Sequence, residues 1–247
     1  MDNKHSFGAV CAGNVPEEAK RRLSRICGKV FFLPPDKLLA PPVASHPDMI
    51  LSVIGKKLVC HIEYFEDNKK LVCDICSYFG FEPVLSECER HGKYPYDIGF
   101  NALVTDRFVF CNKDYTAKEI IDCAEREGLE VVNVKQGYAA CSSVYTGDTV
   151  ITADKSIIKS AKEKGVDTFQ IPHGGIALEP YDTGFIGGAS GYFENTLYVF
   201  GDLSCDARFS ELCIFLDRNN IKTVPLCDGV VSDFGGIKFF KNTEVST

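Results

Sequence analysis

The chain has 247 residues, of which 45% are hydrophobic and 25% are charged, and these values exclude a disordered or low-complexity protein. The 27 Lys and Arg residues against 34 Asp and Glu residues give a formal net charge of -7. That acidic balance argues against binding nucleic acid by bulk neutralisation of phosphates, so we expect no nucleic-acid partner.

The sequence also predicts a cytoplasmic protein without a membrane segment. No apolar run approaches the roughly 18 residues that a membrane-spanning helix requires, and Met1-Asp2-Asn3-Lys4-His5 lacks the apolar core of a signal peptide. Twelve cysteines are an even number that would allow disulfides. A chain of this size does not need such cross-links, and we therefore expect reduced thiols, with structural disulfides as the alternative.

In chain order, the sequence first predicts an amphipathic helix over residues 16–27, then Gly28 and a strand over residues 29–33. Residues 34–42 contain too many prolines for a helix or a central strand and predict a rigid surface connection. Four similar units follow, each with a β-hairpin, an amphipathic helix and a further strand. Their predicted segments are 49–54, 57–64, 70–79 and 81–85; 100–105, 108–111, 117–127 and 129–134; 140–145, 149–152, 155–164 and 166–171; and 188–193, 197–200, 207–219 and 221–226.

Each of these four helices is followed by a residue that tolerates the left-handed conformation of a helix C-cap. These residues are Gly80, Gly128, Gly165 and the pair Asn219-Asn220. Asp154, and Ser204 or Asp206, are predicted to cap the amino termini of the last two helices.

The two ends of the chain supply the parts of a fifth unit. A C-terminal hairpin is predicted over residues 230–233 and 237–240, and the amino-terminal helix and strand would complete it. We therefore predict an α/β fold: a five-bladed pseudo-symmetric propeller of ββαβ units in a single domain, closed by pairing the N- and C-terminal segments. The units span about 47–90, 96–136, 137–180, 184–227, and 228–247 joined with 14–35. An ordinary α/β sandwich is the alternative.

This unit order resembles the pentein superfamily, and the chain is similar to bacterial proteins that carry the segments found here at residues 136–142 and 184–190. The superfamily includes arginine deiminase, dimethylarginine dimethylaminohydrolase, agmatine deiminase and amidinotransferases, and also a non-catalytic ribosome anti-association factor. The resemblance implies a cysteine from the last unit that attacks a guanidinium carbon, a histidine from an earlier unit and carboxylates that bind the nitrogens. Here the cysteine position falls near Asp233-Phe234, and residues 183–190 contain no histidine.

The resemblance also places the start of each hairpin at one end of a central channel. On that basis we predict Cys141 as a nucleophile, His46 as its base and Asp48 as the group that orients the base. Side chains from the other units are predicted to bind substrate. They are Asp97, Asn101, Ser142, Ser190 and Asp233. The alternative is that Cys141 is a small core residue and His46 a capping or stacking residue.

Three further motifs favour structural interpretations. Residues 184–191 are rich in glycine but lack the Lys-Ser/Thr of a phosphate loop, so they indicate close backbone approach or a bulge. Cys73 and Cys76 have the spacing of a zinc half-site, for which Cys60 with His61 or Cys88 with His91 would supply the second pair. We predict no metal site and no cofactor, with zinc at this pair left open. The segment His173-Gly174-Gly175 is predicted to be a turn.

Two functions are consistent with these features. The first is a cysteine-dependent hydrolase or transferase that acts on a small guanidino or amide compound in the channel. The second is a non-catalytic protein of the same fold that binds a ligand or a protein partner. A small-molecule ligand is the expected partner, and the sequence leaves a homo-oligomer open.

Overall fold

The computed structural model describes residues 6–242. The segment Met1–His5 and the last residues of the predicted fifth unit, 243–247, lie outside the described residues. No helix within the described range is both long enough and apolar enough to cross a membrane. All twelve cysteines are free thiols in this structure.

The fold is built from five three-stranded sheets. In each sheet the middle strand is antiparallel to the first strand and parallel to the third. In the order first, middle and third strand, the sheets are β3 (Leu51–Ile54), β4 (Lys57–His61) and β5 (Glu82–Ser86); β6 (Leu103–Val104), β7 (Phe108–Cys111) and β8 (Glu130–Asn133); β9 (Ser143–Tyr145), β10 (Thr149–Thr152) and β11 (Asp167–Gln170); β12 (Ser190–Phe193), β13 (Thr196–Val199) and β14 (Lys222–Pro225); and β15 (Lys238–Lys241), β1 (Phe7–Ala12) and β2 (Lys29–Leu33).

Helices connect the middle strand to the third strand of every sheet, because parallel neighbours need a long crossover. The helices are α1 (Glu17–Ile26), α2 (Pro47–Ile50), α3 (Ile62–Asp67), α4 (Lys69–Phe79), α5 (Lys118–Arg126), α6 (Lys155–Glu163) and α7 (Ser210–Arg218). The short α2 precedes β3 and is the exception, and α3 is an extra helix before α4. The first strands β6, β9, β12 and β15 contact one another in that order, and all five first strands line one axial cavity. The predicted five-unit α/β propeller is confirmed.

The split sheet closes the ring differently from the prediction. The chain forms β1 ahead of α1, a strand that the sequence analysis missed, and β1 pairs antiparallel with β15. The C-terminus therefore supplies a single strand, and the predicted hairpin over residues 230–233 and 237–240 is wrong. Residues 226–237 instead form turns in which Gly229, Gly235 and Gly236 have positive φ angles. Every residue of β1 is buried, since a middle strand is covered on both faces.

Several predicted first strands begin later in the structure than in the sequence analysis. Residues 47–50 form α2, with Pro47 in its first turn, and β6, β9 and β12 begin two to three residues after the predicted starts. The preceding residues form turns whose polar side chains point to the centre of the ring. The predicted second strand over residues 57–64 is also too long, because His61 accepts a hydrogen bond from the backbone N–H of Glu63 and caps α3.

The predicted helix ends agree with the structure for four helices. Gly80, Gly128 and Gly165 have φ angles of 69°, 74° and 70°, and Asn220 has 56°. Asp154 caps α6 by accepting from the N–H groups of Ser156 and Ile157. The helix α1 ends instead at an extended Cys27, so Gly28 does not act as a left-handed stop. Residues 207–209 form a 3-10 turn capped by Asp206, so α7 starts later than predicted.

The proline-rich connection is more than a surface segment. Asp36 and Leu39 are buried, and the Asp36 carboxylate forms an ion pair with Arg90 at 2.6 Å. This pair joins the connection to the segment between the first and second full units. The connection therefore takes part in the core behind the start of β3.

Candidate active site

The turns before the first strands bring five polar side chains to the centre of the ring. His46 and Asp48 lie at the start of α2, Asn101 precedes β6, Cys141 precedes β9, and Asp233 precedes β15. Each is at most 4% exposed. One ligand-capable atom from each of His46, Asp48 and Cys141 lies within 4.8 Å of the others. Four distant parts of the sequence thus meet in one buried cluster, as the sequence analysis predicted for these residues.

Asn101 fixes the position of the Cys141 thiol. Its Oδ1 accepts hydrogen bonds from the backbone N–H groups of Ala140 at 2.8 Å and Cys141 at 3.2 Å. Because both bonds require the oxygen to face this backbone, the amide nitrogen must point the other way. That nitrogen donates to Cys141 Sγ at 2.9 Å and to Met49 Sδ at 3.2 Å. Asn101 is therefore a neutral donor to the sulfur and not a free substrate ligand.

The carboxylate that faces the His46 ring belongs to Asp233. His46 Nδ1 lies 3.7 Å from Asp233 Oδ1, and neither ring nitrogen forms a hydrogen bond within residues 6–242. Asp233 itself is held in place, since its two oxygens accept from the backbone N–H groups of Gly235 and Phe185 at 2.9 and 2.8 Å. Neither oxygen of Asp48 accepts a hydrogen bond of normal geometry in the same part of the chain. The geometry thus gives Asp233 the place beside the ring that the sequence analysis assigned to Asp48.

The glycine-rich segment and the last turn allow the backbone to pack directly against these groups. A Cβ on Gly188 would overlap the Asp233 carboxylate, and a Cβ on Gly235 would overlap His46. A Cβ on Gly187 would likewise overlap the backbone oxygens of residues 140, 141 and 143. Close backbone approach, which the sequence analysis expected of residues 184–191, is what these glycines provide.

Two cavities lie on either side of the cluster. The thiol cavity has a volume of about 180 Å³, and its polar wall contains His46, Cys141, Asp97 and Asp233. Its remaining wall is aromatic and aliphatic, with Tyr138 and Phe185 among the rings. The axial cavity has a volume of about 330 Å³ and is lined by the five first strands. Asp48 lies in the wall of the axial cavity, so its carboxylate separates the two spaces.

Burial keeps the Cys141 thiol protonated when the site is empty. It raises the pKa of Cys141 well above the usual value, and the negative charges of Asp48 and Asp233 raise it further. The hydrogen bond from Asn101 acts in the opposite direction but is the smaller effect. A thiol in these surroundings is a poor nucleophile until a positive charge arrives or the sulfur loses its proton to a neighbour.

The pKa values of the groups around the thiol are also shifted in the direction that favours their neutral forms. Burial lowers the pKa of His46 to about 4 and raises the pKa of Asp48 to about 6. For Asp233, burial and then the charge of Asp48 raise the pKa to about 7. The imidazole is therefore neutral at physiological pH and able to accept a proton, while the two carboxyl groups share a titration range near neutrality.

Lys238 is the cationic residue of the cluster, and the sequence analysis missed it. It lies at the start of β15 in the wall of the axial cavity, where burial lowers its pKa and the charges of Asp48 and Cys141 oppose that change. A single lysine in the segment Ile237-Lys238-Phe239-Phe240 carries no sequence signal of its own. Only the closure of the ring brings β15 beside α2.

Asp97 and Tyr138 form the outer part of the thiol cavity. The Tyr138 hydroxyl donates to Asp97 Oδ2 at 2.9 Å, while Asp97 Oδ1 is buried without a partner among the described residues. Burial raises the pKa of Asp97, which the hydrogen bond from Tyr138 partly offsets. The predicted substrate-binding residue Asp97 thus lines the cavity with one oxygen available to a ligand.

Two predicted substrate-binding residues lie elsewhere. Ser142 is buried and donates to the carbonyl of Ala139 at 3.3 Å, and Ser190 donates to the carbonyl of Ile186 at 2.6 Å. Neither lines the thiol cavity: Ser142 ends a turn over residues 139–142 and lines the surface cavity beside α6, whereas Ser190 lines the axial cavity. Ser142 and Ser190 are thus not part of the thiol site, and their role in binding substrate stays a prediction.

The CxxC pair and the His173 turn are also separate from the cluster. Cys73 is exposed and Cys76 buried on α4, and among residues 6–242 the one group of three metal-ligating side chains is His46, Asp48 and Cys141. The alternative zinc site at Cys73 and Cys76 therefore lacks its further ligands. His173 follows β11 and lines a different surface cavity, beside α6.

The buried ion pair between Arg90 and Asp36 contacts α2 on the side away from the thiol. Arg90 Nη2 donates to the carbonyl of Met49 at 2.6 Å, and its guanidinium lies over the Phe100 ring at 5.1 Å from the centroid. Met49 in turn contacts Asn101 through its sulfur. Arg90 and Asp36 therefore hold the turn that carries His46 and Asp48, one layer away from the thiol.

Comparison with protein families gives one assignment that covers most of the chain. Residues 10–238 match the family of unknown function DUF6873. The chain belongs to this family. Among curated proteins no match was found.

Solved structures of pentein enzymes share the fold of this DUF6873 member. DDAH from Pseudomonas aeruginosa, as a cysteine-to-serine mutant complexed with citrulline, has a TM-score of 0.56 at 10% identity, over 96% of this chain and 99% of that chain. The amidinotransferase SxtG from Microseira wollei has a TM-score of 0.55 at 10% identity, over 93% and 80%. Agmatine deiminase from C. jejuni with substrate bound has a TM-score of 0.52 at 11% identity, over 91% and 89%. The chain is a pentein-fold protein, and at these identities the similarity establishes the fold alone.

Proposed function

We propose that this protein is a cysteine-dependent hydrolase or transferase that cleaves a C–N bond of a small guanidinium or amidinium compound. The observation that carries the proposal is the Cys141 thiol, which lies within 4.8 Å of His46 and Asp48 beside a cavity of about 180 Å³. Clusters of a thiol, an imidazole and carboxylates are the groups that covalent catalysis on such carbons needs.

The charge of the cavity favours a cationic ligand. Asp97 and Asp233 line it, Asp48 lies behind the thiol, and buried oxygens of Asp48 and Asp97 accept no hydrogen bond of normal geometry within residues 6–242. A planar cation with several N–H donors would satisfy these oxygens and favour their ionised forms. The rings of Tyr138 and Phe185 add faces on which such a cation can stack. The volume suits a small head group better than a drug-sized molecule.

A bound cation also supplies the positive charge that the free site lacks beside the sulfur. The Cys141 proton passes to His46, and the thiolate attacks the central carbon of the guanidinium, so that an S–C bond forms. The imidazolium, stabilised by Asp233 at 3.7 Å, then protonates the leaving amine as the C–N bond breaks. Water, or the amine of a second substrate, next attacks the S-bound carbon, and the thiol is regenerated with its proton.

The neighbours in fold are consistent with this chemistry. They are a DDAH complexed with citrulline, an amidinotransferase and an agmatine deiminase. In the present chain the proposed nucleophile is in the third full unit, before β9, whereas the last unit has Asp233 before β15. The proposal therefore shares the class of reaction with these neighbours in fold, but it places the nucleophile in a different unit.

The test compares two alkylating agents that differ chiefly in charge. Chloroacetamidine is a cation and chloroacetamide its neutral counterpart, and both transfer a carbon to a thiolate with loss of chloride. We expect chloroacetamidine to label Cys141 at least about 100-fold faster, because only the cation is attracted by the carboxylates and lowers the thiol pKa. Peptide mapping by mass spectrometry identifies the labelled cysteine.

Two variants serve as controls for this measurement. Asp233→Asn should remove most of the preference for the cation, while Cys73→Ser, an exposed thiol outside the site, should leave it unchanged. Equal rates for the two reagents at Cys141, or preferential labelling of another cysteine, would contradict the proposal.

A non-catalytic role is the second candidate, and one observation favours it. The pKa of Cys141 is raised well above its usual value in the free protein, which is unusual for a catalytic thiol. On this hypothesis the cavity binds the cation without attack. Acetamidine would then bind in calorimetry, whereas chloroacetamidine would label Cys141 no faster than chloroacetamide does.

A further inference from the structure

The cluster at the base of the thiol cavity has the composition and spacing of a metal site. It combines a sulfur, an imidazole nitrogen and a carboxylate oxygen, which all lie within 4.8 Å of one another. His46 is 1% exposed and Asp48 3% exposed, yet neither ring nitrogen and neither carboxylate oxygen forms a hydrogen bond of normal geometry within residues 6–242, and the side chain that interacts with the Asp48 carboxylate is Cys141 itself. Buried polar atoms without partners cost free energy unless something binds them.

We propose that His46, Asp48 and Cys141 form a binding site for a divalent ion of the zinc type. This inference goes beyond the proposed function, since it concerns a ligand that needs no guanidinium group.

The distances allow such an ion with small side-chain movements. At the centre of a triangle with sides of 4.8 Å, an ion would lie about 2.8 Å from each ligand atom. Zinc bonds to sulfur, nitrogen and oxygen are about 2.0–2.3 Å long, so each side chain would have to move by less than about 1 Å.

The donor types select the class of ion. Mg²⁺ and Ca²⁺ take oxygen ligands, whereas a thiolate and an imidazole favour zinc and related transition metals. Three protein ligands leave a fourth tetrahedral position, which would face the thiol cavity and take water. The site would then resemble an open zinc site and not a closed structural one.

Neighbouring groups are placed to support the ligands. Asn101 donates to Cys141 Sγ at 2.9 Å, which favours the thiolate. Asp233 Oδ1, at 3.7 Å from His46 Nδ1, can accept the Nδ1 proton and leave Nε2 for the ion. The charges also balance, because a divalent cation and Lys238 carry three positive charges against the thiolate, Asp48 and Asp233.

Occupation by the ion and attack by the thiol exclude each other. A thiolate bound to zinc has its reactive electron pair engaged, so bound metal should protect Cys141 from alkylation. The metal and a guanidinium compound would compete for the same carboxylates.

Co²⁺ titration followed by absorption tests the site without any substrate. We expect a near-ultraviolet thiolate-to-cobalt charge-transfer band together with intense visible bands typical of tetrahedral cobalt, and displacement of both by Zn²⁺. Cys141→Ser should abolish the charge-transfer band, and Asp48→Asn and His46→Gln should each weaken Co²⁺ binding by at least about 100-fold. Asp233→Asn, which removes support and no ligand, should weaken it by about 10-fold.

The matched control is the double variant Cys73→Ser, Cys76→Ser, which removes the other closely spaced thiols and should leave the spectrum unchanged. Thermal unfolding of each variant without metal shows whether it folds. A charge-transfer band that survives Cys141→Ser, or that disappears in the double variant, would overturn the inference, as would the absence of any such band. Because no guanidinium compound is present, this result is independent of the labelling experiment.

Discussion

The molecule contains two buried clusters of charge on opposite sides of α2, and they are organised in opposite ways. Behind α2, Arg90 and Asp36 pair opposite charges at 2.6 Å, and Arg90 also donates to a backbone carbonyl and lies over an aromatic ring. In front of α2, the carboxyl groups of Asp48 and Asp233 accompany a thiol and a neutral imidazole, and within residues 6–242 Lys238 supplies the cation.

The difference indicates the role of each cluster. The Arg90 pair is neutral within itself and connects two segments of the fold, so it has a structural role. The front cluster has an excess of negative groups. Atoms of both clusters lack a hydrogen bond of normal geometry within residues 6–242, but behind α2 Asp36 Oδ2 and Arg90 Nη1 form an ion pair with each other, whereas the oxygens of Asp48 form none in the described part of the chain. A protein retains such an arrangement when a ligand completes it. The comparison therefore separates the site from its support, and three predictions test it.

The largest effect is expected from breaking the supporting pair. Arg90→Met leaves the Asp36 carboxylate buried without its partner and should lower the free energy of unfolding by about 3–5 kcal/mol. Urea denaturation followed by circular dichroism measures this change. Lys70→Met breaks an exposed ion pair with Asp74 and should leave the stability unchanged.

The double variant Arg90→Met, Asp36→Leu should recover most of the loss, since no charge is then left buried. If Arg90→Met behaves like Lys70→Met, the pair behind α2 is not structural and the contrast between the two clusters fails.

The front cluster should respond in the opposite direction. Asp48→Asn is expected to stabilise the protein by about 1–3 kcal/mol at pH 8, because it removes a buried carboxylate whose pKa is raised to about 6. Near pH 4 the folded protein holds this carboxyl group protonated, so the variant should have little effect there. The advantage should appear as the pH rises from about 4 to 6 and then stay constant.

Unfolding by urea at pH 4, 6 and 8 measures this pH dependence. Asp114→Asn, an exposed position, should show no difference at any of the three values. If Asp48→Asn instead destabilises the protein at pH 8, the Asp48 carboxylate has stabilising partners in the folded protein and needs no ligand to supply them.

The smallest effect concerns cation binding. Acetamidine should bind about 10-fold more tightly at pH 8 than at pH 5.5, because Asp233 and Asp48, with pKa values of about 7 and 6, must be ionised to attract it. Isothermal titration calorimetry at the two pH values measures the ratio. In Asp233→Asn the remaining pH dependence should shift to lower pH, toward the range of Asp48. Affinity that falls with rising pH would argue against recognition by these carboxylates.

Features that depend on neighbouring residues could be predicted from the sequence. The five-unit order and the stops at Gly80, Gly128 and Gly165 follow from local periodicity and from the backbone freedom of glycine. The starts of the hairpins are also local features, which is why His46, Asn101, Cys141 and Asp233 could be expected to share one end of the ring. The surroundings of Ser142 and Ser190 could not, because the cavity that each side chain lines depends on how neighbouring units pack.

Features that depend on closure of the ring were decided only by the tertiary structure. The strand β1 is stabilised by β15 and β2 from distant parts of the chain, so its short apolar run gave no clear signal. The same closure brings Lys238 beside Asp48, and the packing of residues 34–42 brings Asp36 to Arg90. Contacts between residues so far apart in sequence are set by how five units pack around one axis. That packing also buries the site, which raises the pKa values of Cys141, Asp48 and Asp233 and lowers that of His46.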